Sequence, residues 1–409
     1  MMNIKQNRVT TKALLASAIS SAILMVAVPA QAQTFTEFVK EGDIIAELRV
    51  RYEGVQEDNL KDDAVAMTAR TRLGYETANV KGFKVLTEYD HVIALQNEYN
   101  SKTDFGSDDK SKSVVADPAT SDINRAQISY TSDEFGATLG RQRIILDNAR
   151  FVGNVGWRQN EQTYDAVRID LTAIKDLNAT YVYMNQVNDI FFNDKETDNH
   201  LLNLGYNTPA GKVVTYAYLL KDKSTDNEQT HDTFGLSFKG KTNTNNIDLL
   251  YAAEYAIQTQ NSGASGAKDN DAVYTFVEGG VKVSGISLLA GMEILSGDGD
   301  YAFETPLATK HAFNGWADKF LSTNASTAKN GLADTYAKIV TKVAGIKLLA
   351  VYHDYSSDKD SVDLGSEINL LAAKKFDQNF SVGIKFAKYS AGDAGTDADK
   401  LWLWGEVKF

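Results

Sequence analysis

From residue 43 to the last residue, apolar and polar side chains alternate with a period of two. In the run 44–52 one face reads Ile44, Ala46, Leu48, Val50 and Tyr52, and the other reads Ile45, Glu47, Arg49 and Arg51. The run 68–76 separates Ala69, Thr71, Leu73 and Tyr75 from Thr68, Arg70, Arg72, Gly74 and Glu76, and 401–409 repeats the pattern. A helix scatters such residues around its axis, whereas a strand sorts them onto two faces. About eighteen segments of this kind follow one another, each long enough to cross a bilayer as a tilted strand, which takes roughly 9–11 residues. Short turns such as 78–81, 208–210 and 284–285 alternate with longer loops such as 93–122, 144–162, 187–198 and 296–332. Thr208-Pro209-Ala210-Gly211 and Ser284-Gly285 in the short turns have hairpin chemistry. The pattern predicts an all-β fold: a transmembrane antiparallel up-and-down β-barrel of about 18 strands, with short turns at one rim and long loops at the other. A soluble sandwich, propeller or solenoid predicts no such alternation, and the chain has no fixed repeat of the propeller or solenoid kind.

Composition narrows the picture. The 409 residues carry 42 Lys plus Arg against 54 Asp plus Glu, a formal charge of −12, which argues against a nucleic-acid partner held by bulk charge. With no Cys, disulfides, thiolate metal sites and cysteine nucleophiles are excluded. Residues 1–32 read as an export signal. Lys5, Arg8 and Lys12 precede the apolar stretch 13–28, and Ala30-Gln31-Ala32 supplies a small-x-small cleavage pattern. The expected domains are therefore a signal peptide, 1–32, and an outer-membrane barrel, 33–409. The final Phe409 lies on the apolar face of the last strand. It is the expected handle for the outer-membrane barrel assembly machinery, with outer-membrane lipid as the other partner. Aromatic content of 10% suits strands and membrane interfaces.

About eighteen strands enclose an aqueous lumen, so function is expected on inward positions and on loops folded inward. All ten arginines after the signal lie before residue 169: Arg49, Arg51, Arg70, Arg72, Arg125, Arg141, Arg143, Arg150, Arg158 and Arg168. The pairs 49/51, 70/72 and 141/143 are spaced i, i+2, so each is expected on one strand face. Facing lipid near the midplane, each arginine would cost roughly 2–4 kcal/mol, so the lumen is their expected place. Two roles follow. They can pair with Glu47, Glu76, Glu88, Asp90 and Glu161 to stiffen the wall, or they can form a cationic ladder for anionic solutes, since guanidinium binds carboxylate bidentately. The loop 296–332 is a candidate gate, lying over the rim or folded into the mouth. In it, Asn314 is expected to cap a short helix carrying Trp316 and Phe320 on one face, with Phe313 adding apolar surface.

Other chemistry is sparse. The five histidines lie on separate segments, and no nucleophile elbow, phosphate loop or dinucleotide fingerprint occurs. No metal site, cofactor or catalytic residue is expected. Ser296-Gly297-Asp298-Gly299-Asp300 has the oxygen-rich look of a calcium loop without the ligand spacing of an EF-hand, and reads as a solvated turn.

The runs Gly140-Arg141-Gln142-Arg143, 146–163 (Leu146-Asp147-Asn148-Ala149-Arg150 onward through Trp157-Arg158-Gln159-Asn160-Glu161), 70–75, and 305–320 around His311-Ala312-Phe313-Asn314-Gly315-Trp316 resemble the bacterial alginate-export outer-membrane porin family. The resemblance implies an eighteen-stranded barrel with an arginine-lined pore passing anionic saccharides such as polyuronates. A shorter chain and fewer lumenal arginines in its second half depart from the family pattern. A general or substrate-specific diffusion porin for small nutrients is the alternative, with an outer-membrane enzyme or an adhesin behind it.

Overall fold

The computed structural model describes residues 38–59, 61–104, 107–224 and 226–409; the expected signal peptide, 1–32, lies outside them. Eighteen strands follow in chain order: β1 (Asp43–Glu57), β2 (Ala64–Glu76), β3 (Phe83–Glu98), β4 (Ser121–Thr131), β5 (Phe135–Gln142), β6 (Thr163–Leu171), β7 (Leu177–Asn188), β8 (Asp194–Thr208) and β9 (Gly211–Asp222). The second half comprises β10 (Gln229–Thr244), β11 (Ile247–Asn261), β12 (Asn270–Val283), β13 (Ile286–Ser296), β14 (Gly331–Val343), β15 (Ile346–Ser356), β16 (Asp363–Lys375), β17 (Phe380–Ser390) and β18 (Ala398–Lys408). Each strand pairs antiparallel with its chain neighbours, and β1 also pairs with β18, from Glu47↔Lys408 to Glu57↔Ala398. The sheet is closed, so no strand edge is left for lipid to meet, the condition a β-structure must satisfy in a membrane.

Each face has its own cause. Outward positions are apolar: Ile44, Leu73, Leu139, Leu236 and Leu288 are more than half exposed, as lipid-facing side chains are. Inward positions on the same strands are polar and buried, as with Arg49, Arg51 and Glu53 on β1, or Glu88 and Asp90 on β3. The short turns have the backbone that hairpins demand. Ser284-Gly285 and Ala344-Gly345 both hold two successive positive φ values (49° and 83°; 49° and 81°), a twist that matches paired strands. One expected long loop is short, since β7 and β8 are joined by 189–193 alone. At the seam the backbone N–H of Phe409 donates to the Ala46 carbonyl (2.8 Å), which extends the β1–β18 ladder by one residue, and the Phe409 ring stays 75% exposed.

The apolar core lies inside the barrel. Phe151, Val152, Phe303, Leu307, Ala317 and Phe320, all from two long loops, pack against inward Tyr216, Tyr274, Tyr355, Tyr389 and Trp402. The loop 297–330 therefore sits in the lumen rather than over the rim.

Candidate functional site in the lumen

The loop after β5, 143–162, crosses from one wall to the other. On one side Arg49 of β1 donates from Nε to Gln159 Oε1 (2.9 Å) and from its two terminal nitrogens to the carbonyls of Gly156 (3.1 Å) and Arg158. On the other, Arg150 of the loop donates to Glu293 of β13 (2.6 Å) and to Asn314 (3.1 Å), with its guanidinium 4.9 Å over the Phe313 ring. The second loop, 297–330, joins the first along a parallel bridge between Val152 and Leu307, where Gly153 N–H donates to Leu307 O (2.9 Å). Arg158 spans the junction, bound to Glu53 on the wall (2.9 Å) and to Asp318 on the second loop (3.1 Å).

The remaining arginines are mostly paired with acids. Arg72 binds Asp90 through two bonds of 2.7 Å and reaches Glu161 (2.9 Å) and Glu88 (3.2 Å). Arg70 binds Glu47 (2.9 Å), Arg51 binds Asp117, Arg125 binds Glu88 and Arg143 binds Glu161. Arg141 and Asp165 form a bidentate pair (2.8 and 3.2 Å), as do Arg168 and Asp170 (both 2.8 Å). Of the five acids expected as partners, Glu76 binds Lys84 instead (2.9 Å). Glu53, Asp117, Asp165, Asp170, Glu293 and Asp318 were not foreseen, because the loop path that brings several of them in has no periodicity to read.

Two expectations are corrected. Arg141 and Arg143 do not share a strand face: β5 ends at Gln142, and Gly140 at φ +113° breaks the alternation between exposed Leu139 and buried Arg141. Asn314 caps no helix. It and Gly315 both have positive φ (53° and 86°), so no helix can start there. The loop's helical pieces are a 3₁₀ turn at Lys310–Ala312 and a single turn at Thr323–Ser326. The Asn314 amide donates to Glu293 and to Asp334 (3.2 Å), and its oxygen accepts from Arg150. Trp316 and Phe320 also part company. Trp316 N–H donates to Glu367 Oε1 (2.5 Å), while Phe320 packs on Tyr355 with centroids 4.6 Å apart.

All four tryptophans converge inside the barrel rather than at the lipid interface. Trp157 stacks on His311 (5.1 Å) and meets Trp402 and Trp404 edge-on (5.9 and 5.4 Å). The Lys385 ammonium lies 3.7 Å from the centroid of Trp316, 4.4 Å from Trp157 and 5.4 Å from Trp402, and its Nζ is 2.7 Å from His311 Nε2. Lys385 thus ties both loops to the wall through cation–π contacts. Its inward position on β17 was readable from alternation, but the loop rings that meet it were not.

His311 Nδ1 is 2.6 Å from Asp318 Oδ1. Burial drives the imidazole from its ordinary 6.5 down to about 3, with Asp318 opposing and Lys385 adding to the shift. Burial alone would raise the Asp318 carboxyl, but His311, Lys400 and Arg158 outweigh it and hold it below the usual range. The unfolded chain takes up the His311 proton near 6.5 and the folded chain only near 3, so this stability is whole above 6.5 and is lost as pH falls toward 3. Thermal stability of the barrel is therefore expected to fall between about pH 7 and pH 4, and His311→Gln to flatten that part of the profile. Equal slopes in both proteins would contradict a neutral, buried His311.

Beneath Phe313 and Trp316, on the β9–β15 side, a cavity of about 700 Å³ remains, lined by Lys212, Lys239, Lys338, Glu254, Glu278 and Tyr336 among others. Strand alternation marks Lys239 and Lys338 as inward, but alternation alone does not show that they border one cavity. Among the described residues no group of three or more His, Asp or Glu side chains is placed to hold a metal ion. Asp298 accepts the backbone N–H groups of Asp300 and Tyr301 (both 2.8 Å), which shapes its own turn.

A closed eighteen-stranded barrel with two inward loops clasped across the lumen is an outer-membrane channel. The sequence profile described as Alginate export matches residues 42–307, and the chain belongs to that family. The fold is shared with Acinetobacter baumannii OccAB4 at a TM-score of 0.68 and 14% identity, over 90% of this chain and 98% of that one. Pseudomonas aeruginosa OccK5 (OpdH) gives 0.66 and 12% over 91% and 99%. Pseudomonas aeruginosa OpdK, solved with vanillate, gives 0.66 and 10% over the same shares. No curated protein matches the sequence.

Proposed function

We propose that this barrel is a diffusion channel for carboxylate-bearing saccharides of the uronate class, taken a residue or a few at a time. The observation that carries the reading is the state of the lumen. Two loops clasped from wall to wall leave space suited to small solutes rather than to a wide polymer conduit. The first-half wall supports an anionic solute through Arg49. Its three nitrogens donate only to an amide and two carbonyls, and no carboxylate among the described residues lies within 4 Å of it. The family description points the same way. In this reading the ten arginines form a field rather than a row of free hooks: most are neutralised locally, and the excess charge sits near β1. Membrane lipid and, through Phe409, the outer-membrane assembly machinery are the partners it implies, and the exported chain loses residues 1–32.

The reading is of a channel, not a catalyst. The outer-membrane hydrolase alternative has one contact in its favour, His91 Nδ1 at 2.6 Å from Ser121 Oγ on the outer face. Among the described residues no carboxylate holds the other ring nitrogen, as a nucleophilic triad requires. Reversal potentials of the purified barrel in planar bilayers, across a salt gradient, test the proposal. Anion preference and block by uronate oligomers but not by neutral oligosaccharides are expected. Equal block by both would leave a general porin.

A further inference from the structure

The cavity of about 700 Å³ carries two opposite demands on its contents. Lys212 of β9 and Lys239 of β10 face each other directly in the register, and both line it. Like charges opposed across a strand pair destabilise it unless an anion sits between them. Lys212 has Asp147 at 3.5 Å, whereas Lys239 has no carboxylate within 4 Å among the described residues. Glu254 of β11 opposes Ser237, two residues along from Lys239 on the same face. It accepts one hydrogen bond, from Tyr216 Oη (2.7 Å), and has no cation within 4 Å among the described residues. The other acids of the cavity are engaged: Glu278 with Lys338 (2.7 Å), Glu293 with Arg150 and Asp334 with His353 (2.9 Å).

Lys239, which lacks an anion, and Glu254, which lacks a cation, therefore share one chamber with Lys212, which Asp147 already accompanies. Diagonal cross-strand neighbours lie roughly 7–8 Å apart, about the length of a four-carbon amino acid or one amino-sugar acid. We propose that the cavity is a binding site for zwitterionic solutes, the carboxylate lodging between Lys212 and Lys239 and the ammonium against Glu254, with Phe313 of the loop above. Lys239 at one end and Glu254 at the other have no opposite charge within 4 Å among the described residues, so a solute with both ends gains where an acid or an amine alone gains half. The inference rests on the channel reading for its biological use and narrows the solute class, since a uronate lacking an amino group would engage the lysines only.

Calorimetry on the purified, folded full chain tests it with 4-aminobutyrate, butyrate and butylamine at low salt. The zwitterion is expected to bind at least about tenfold more tightly than either relative, tenfold being the mark of two ends rather than one. Glu254→Gln is expected to bring 4-aminobutyrate to the level of butyrate and leave butyrate unchanged. Lys239→Gln is expected to weaken both carboxylates. Retained resistance to SDS in each variant shows that the barrel is intact. Butyrate binding as tightly as 4-aminobutyrate, no binding of any probe, or an unchanged Glu254→Gln variant would overturn the proposal. Conductance of the same preparations keeps the two readings apart: a barrel that conducts anions without preferring the zwitterion loses this site and remains a channel. A barrel that binds the zwitterion but conducts nothing keeps the site and loses the channel.

Discussion

Excising residues 304–326 and joining the ends with a short Gly-Ser turn is expected to raise the ion conductance of the barrel several-fold and to leave its assembly intact. The excised segment supplies Leu307, Trp316, Ala317 and Phe320, which pack across the lumen, and eighteen strands alone leave an aqueous channel. Assembly survives because the wall does not depend on the loop. β13 and β14 remain paired from Ser287↔Val340 to Ser296↔Gly331. Arg150 keeps Glu293 and Arg158 keeps Glu53. Single-channel recording decides the matter: wild-type conductance in the excised protein would mean that the loop obstructs nothing.

The second large effect is on stability. Arg72→Gln is expected to destabilise the barrel by about 3–5 kcal/mol, the usual result of removing one partner from a buried ionic cluster. Arg72 is 3% exposed and lies among Asp90, Glu88 and Glu161, so its loss strands buried carboxylates around a neutral amide. Neutralising Arg70, Arg72, Arg141 and Arg143 together would compound the loss, so such a variant reports on folding before it reports on anion preference. Restoring the charge balance with Asp90→Asn in the Arg72→Gln background should recover much of the stability, since Glu161 keeps Arg143 and Glu88 keeps Arg125. The measurement is the temperature at which the SDS-resistant band disappears. An unchanged temperature in the single variant would show that water, not Arg72, solvates those acids.

These expectations also mark what the sequence made legible. Strands were readable because lipid and lumen make opposite demands every second residue, so Leu48 and Arg49, or Leu73 and Arg72, could not exchange places without a cost of several kcal/mol. Hairpins such as Ser284-Gly285 were readable because few residues accept two positive φ angles in succession. The arginines were placed inward on the same grounds. Their partners were harder. Glu47 and Asp90 sit on neighbouring strands and could be guessed, whereas Asp318 is 160 residues from Arg158 and reaches it only through the fold of a loop. Asn314 shows the limit most clearly. An Asn ahead of Trp316 and Phe320 satisfies the local rules for a helix start, but its amide is worth more as a bridge between Glu293, Asp334 and Arg150, and the backbone yields to that.

The convergence of every tryptophan on one place gives the molecule an optical property of its own. In most membrane barrels indole emission reports the headgroup region, because that is where the rings lie. Here Trp157, Trp316, Trp402 and Trp404 surround the Lys385–His311 contact at the junction of the two loops and the wall. Quenchers dissolved in the acyl chains are therefore remote from the fluorophores, and water-borne ones reach them from the lumen, Trp316 through the cavity it lines. The emission of the unlabelled protein is thus a record of the junction of the two loops with the wall, and movement there can be followed in native membranes without adding a dye.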